Sequence, residues 1–99
     1  MQDFDNIIDN IKNKNLEQAL KICDHYENYK NKHIILNYRG IIFLLKNDLD
    51  TAKTNFMEAI KLNEKFEDPI KNLCILLLKK KLFKDLLFYT KKLVEIDKL

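Results

Sequence analysis

Residues 36–59 read LNYRGIIFLLKNDLDTAKTNFMEA. On either side of Asn47-Asp48 the apolar and small residues recur at spacings of three and four: Leu36, Gly40 and Phe43, then Leu49, Ala52, Phe56 and Ala59. That periodicity is helical. Asn tolerates the left-handed backbone that ends a helix, and Asp is a good N-cap for the next one. The stretch therefore predicts two antiparallel helices joined by a tight turn.

Working outward, four more segments carry the same periodicity. A first helix spans about residues 3–13, with Phe4, Ile7, Ile8 and Ile11 on one side. A second starts at Asn15, where Gln18 completes a capping-box pattern, and its inward face is Leu16, Ala19, Leu20, Cys23 and Tyr26. The central pair is expected over about 32–46 and 49–63. Asp68-Pro69 gives a start signal, an N-cap followed by proline at the first helical position, for a fifth helix from Pro69 to about Lys80. A sixth runs from about Phe83 to the C-terminus. Every connection is short, so sequential helices are expected to be antiparallel.

The central pattern is Leu36-x2-Arg39-Gly40-x2-Phe43, then Ala52-x3-Phe56, then Ala59. Shifted by 34 it returns as Ile70-x2-Leu73-Cys74-x2-Leu77, then Leu86-x3-Thr90, then Leu93. Near the N-terminus Phe4-x2-Ile7-Ile8-x2-Ile11, then Ala19-x3-Cys23, fits with each turn one residue shorter. The pattern resembles the tetratricopeptide repeat, large-x2-Leu-Gly-x2-aromatic followed by Ala-x3-aromatic and Ala. Leu86, Thr90 and Leu93 depart from it, and terminal repeats are commonly degenerate. The resemblance implies an all-α, right-handed array of about three antiparallel helix-turn-helix hairpins, with Gly40 and Ala52 at the crossing of the central pair, where small side chains let the backbones approach, and Ala59 making similar room for the following helix. It would form a single domain over 1–99, with units of about 1–31, 32–66 and 67–99.

Composition narrows the chemistry. One Gly and one Pro in 99 residues leave little room for β-hairpin turns. Cys23 and Cys74 stand far apart, with no CxxC, at packing positions; buried, inert thiols in a reducing compartment are expected. The acidic N-terminus does not read as a signal peptide, and the longest apolar runs, 41–45 and 75–78, fall below the roughly 18 residues that span a bilayer. A cytoplasmic protein without membrane association is the expectation. His25 and His33 are the only histidines and sit in no cluster, so no metal, cofactor or catalytic residue is assigned. A single Gly also excludes a glycine-rich phosphate loop. Lys79, Lys80, Lys81, Lys84, Lys91 and Lys92 form a basic cluster, and residues 51–99 hold eleven lysines against seven acids. Three of those lysines sit at a helix C-terminus, where cations complement the dipole, and aromatic interleaving is sparse. The signal for nucleic acid is weak.

In tetratricopeptide arrays the first helix of each unit lines a concave groove. Carried onto this chain, the resemblance implies a groove of Asp5, Asp9 and Lys12, then Asn37, Ile41 and Leu44, then Lys71, Ile75 and Leu78. Some members clamp the C-terminal carboxylate of heat-shock chaperones with Lys and Asn. Here Asn37 and Ile41 occupy those places and Asn72 is the only polar match in the next unit, so the clamp is not expected. The groove centre is apolar and suits an apolar or amphipathic protein segment; packing of Ile41 against Ile75 is the competing reading. The last helix carries two stripes, Leu82, Leu86, Tyr89, Leu93 and Ile96, and separately Phe83, Leu87 and Val94. With no helix after Leu99, the second stripe is expected to meet a homodimer mate or a protein partner. The sequence thus points to a non-enzymatic protein-interaction module, an adaptor or small chaperone, with a self-associating structural subunit as the alternative.

Overall fold

The computed structural model describes residues 4–97. They form six helices: α1 Phe4–Lys12, α2 Leu16–His25, α3 Lys32–Leu45, α4 Leu49–Leu62, α5 Glu67–Lys79 and α6 Phe83–Asp97, with no strand among the described residues. Each helix packs on the next, and α3 also packs on α5.

The three odd-to-even turns are built alike. Lys14, Asn47 and Lys81 each take a positive φ of 60–64°. In each turn this residue donates to a carbonyl three positions back, and its successor donates to one five back: Asn15 to Asn10 at 2.8 Å, Asp48 to Phe43 at 2.9 Å, Leu82 to Leu77 at 2.9 Å. This closure satisfies carbonyls that a helix end leaves bare. Asp48 then accepts the Thr51 N–H at 3.4 Å, as a cap should.

One expected cap and one expected helix start differ. Asn15 makes no side-chain cap bond, so the pattern with Gln18 is not used; its own N–H is already tied back to Asn10 by the turn. The fifth helix begins at Glu67, two residues before Pro69, with Phe66 as N-cap. Proline is tolerated throughout a first turn because those N–H groups lack intrahelical acceptors anyway.

The core has two parts. Ile7, Ala19, Cys23, Ile35 and Ile42 fill one between α1, α2 and α3. Ala52, Phe56, Ile60, Ile70, Leu73, Leu76 and Leu77 fill the other, with Ile41, Phe43 and Leu44 against it. Helix α3 is the wall between them. Gly40 meets the Phe56 ring more closely than Ala52, one turn from the expected contact. One unit later the matching pair is Cys74 and Thr90, whose hydroxyl donates to the Leu86 carbonyl at 2.7 Å. Cys23 is buried as expected, whereas Cys74 is only half-buried.

Candidate docking surface

The expected groove residues divide into two groups. Asn37 is 4% exposed, and its Oδ1 accepts a hydrogen bond from Asn72 Nδ2 at 3.0 Å. Ile41 and Leu44 are half-buried against the second core. All three belong to the seam between α3 and α5. Asn37, Ile41 and Lys71 also line a small cleft of about 190 Å3 over that seam, together with Tyr38, Phe66 and Asp68. Lys71, Ile75 and Leu78 lie one unit on and are exposed. The pairing of Asn37 with Asn72 was the part that pattern reading missed, although both are asparagines on odd-numbered helices.

The 34-residue shift explains the exposure. Ile41, Leu44 and Leu49 pack against the core that α5 completes, and Ile60 is 8% exposed within it. Their counterparts are Ile75, Leu78, Phe83 and Val94, and each is more than half exposed. Leu87 is equally bare. The other stripe of α6, represented by Leu86, Tyr89, Leu93 and Ile96, packs onto the core, while Leu82 is more open. A surface that is sealed in the second unit is thus open in the third. Five large apolar side chains on one end of the array exceed the scattered exposure normal for a small protein.

Charges repeat with the same shift. Glu17 on α2 pairs with Lys46 at the C-cap of α3. Asp50 on α4 pairs with Lys80 at the C-cap of α5, at 3.0 Å. Each of the first two units therefore offers an acid from the start of its second helix to the lysine that ends the next unit's first helix. The third unit carries Lys84 at that position. The repeated pairs were visible in the sequence as two acid–lysine couples separated by 33 or 34 residues.

The remaining candidates do less. A cleft of about 480 Å3 lies between the first two units and is lined by Asp24, Glu27, Lys32, Arg39 and Glu58 among others; its Arg39 is already paired with Asp24. Among the described residues no group of His, Cys, Asp and Glu is placed to hold a metal ion. His33 bonds to Asn63 at 3.3 Å and stacks edge-on to Phe66, which ties α3 to the turn before α5. Burial pushes the Cys23 thiol up to about 11, and the Cys74 thiol is raised by the same cause. Neither is poised as a nucleophile, which needs thiolate. Two members of the basic cluster are engaged: Lys80 is held by Asp50 and Lys92 lies over the Phe88 ring at 5.4 Å. No helix among the described residues is long and apolar enough to cross a membrane. No family model, curated protein or solved structure matches the chain.

Proposed function

We propose that the chain is a protein-interaction module, a right-handed tetratricopeptide-like array of three hairpins that seats an apolar or amphipathic protein segment and catalyses nothing. One observation carries it. Ile75, Leu78, Phe83, Leu87 and Val94 are exposed together, although four of their counterparts in the preceding unit are packed against the core. Exposed apolar area of this kind is unfavourable in water by about 25 cal/mol per Å2 and favours association. Asn37, Ile41 and Leu44 serve the α3–α5 seam, so the binding role falls on Ile75 and Leu78, continued by α6. The two free thiols are in keeping with work in the cytoplasm.

Selection from a displayed library of helical peptides tests this function. Binders should carry apolar residues at helical spacing and lose most of their affinity for an Ile75→Asp/Leu78→Asp variant whose circular dichroism is native. Binders indifferent to that variant would place the functional surface elsewhere.

A further inference from the structure

We infer that the occupant of the open end is an amphipathic helix with an acidic C-terminal turn, supplied by a partner. This rests on the binding function proposed above and specifies its ligand. The template is internal. In the second unit α5 covers Ile41, Leu44, Leu49 and Ile60, using Ile70, Leu73 and Leu77, an i, i+3, i+7 apolar face. A helix laid in the same way over Ile75, Leu78, Phe83 and Val94 meets a surface of the same build.

Charge identifies how that helix differs from α5. At the two sealed junctions an acid on the even-numbered helix, Glu17 or Asp50, meets a lysine at the end of the incoming helix, Lys46 or Lys80. At the open end the acid is replaced by Lys84, so a lysine-tipped helix would be repelled there and a Glu- or Asp-tipped one held. Lys79 and Lys91, also exposed on α5 and α6, make no ion pair among the described residues and add to the positive surroundings. A second copy is a poor match in either arrangement. Two open ends face to face bring together surfaces that both carry Lys79, Lys84 and Lys91. Head to tail, the apolar end would meet the first hairpin, and none of the large apolar side chains exposed among the described residues lies on α1 or α2.

The test uses two labelled synthetic peptides bearing the apolar face of α5, one ending in a turn of glutamates and the other in lysines. Their binding to the full chain is read by fluorescence anisotropy, and the free chain is sedimented alongside. The glutamate peptide should bind about two- to fivefold tighter, the scale of an exposed pair made rather than opposed. Lys84→Glu should reverse the preference, and Leu87→Asp should abolish binding of both. Equal affinities unmoved by Lys84→Glu would overturn the acidic tip while leaving apolar docking intact. A free chain that sediments as a dimer, and returns to monomer on Leu87→Lys, would make the second copy the occupant and overturn the partner helix. If neither peptide binds and the chain is monomeric, the docking function falls with it.

Discussion

The Phe56 ring lies so close over Gly40 that a β-carbon added there would stand 2.3 Å from Cε1. Both residues are buried and the ring is fully enclosed, so it has nowhere to swing. Alanine ordinarily favours a helix over glycine by about 0.5–1 kcal/mol. Here overpacking outweighs that gain, and Gly40→Ala should destabilise by about 1–3 kcal/mol in urea unfolding. Adding Phe56→Leu to Gly40→Ala should recover part of the loss. A Gly40→Ala protein more stable than the parent would show that the ring yields.

Asn72→Ala should cost about 1–3 kcal/mol, because it strips the donor from an amide oxygen buried in the α3–α5 seam. The urea midpoint should fall with an unchanged slope. Replacing both asparagines by leucine should cost less than the single change.

Ile41→Asp and Ile75→Asp are the same substitution one repeat apart, yet they should behave differently. Ile41 packs against the core, so a carboxylate there should cost about 2 kcal/mol or more. Ile75 is exposed, and its change should stay within about 0.5 kcal/mol. Thermal melts of the two variants decide this.

Lys14 and Lys81 hold left-handed backbones that glycine adopts without cost. Lys81→Gly should therefore raise stability by about 0.5–1 kcal/mol, and Lys14→Gly similarly. Calorimetry showing a lowered Tm for both would mean the lysine side chains contribute more than the backbone strain removes.

The raised Cys23 thiol makes stability depend on pH in a defined window. Its folded pKa, about 11, exceeds the ordinary 9.0, so the unfolded chain loses the proton first. The stabilisation is complete below pH 9 and fades as pH climbs towards 11. The urea midpoint should drop across that interval more steeply in the parent than in Cys23→Ala.

Periodicity made the helices readable because a buried face must recur at 3.6 residues wherever a helix packs. Asn47 and Asp48 announced their turn, whereas Lys14 and Lys81 adopt the same conformation without a residue type that signals it. The start of α5 was misplaced because proline marks a first turn rather than a single position. The groove was only partly legible. Whether Asn37 meets a ligand or Asn72 depends on how closely α3 and α5 approach, which no local pattern encodes. Phe83, Leu87 and Val94 could be singled out, since one neighbouring helix covers only one stripe.

Helix α3 has a mechanical role as the wall between two cores. The first hairpin clings to one of its faces and the third hairpin to the pair it forms with α4, so neither outer hairpin braces the other. Pulled from its two ends, the chain should peel inward from both sides, with α3 and α4 last to part. A ligand helix seated on α5 and α6 would act as a clamp on one flank, delaying that flank's release while the other still opens at its own force.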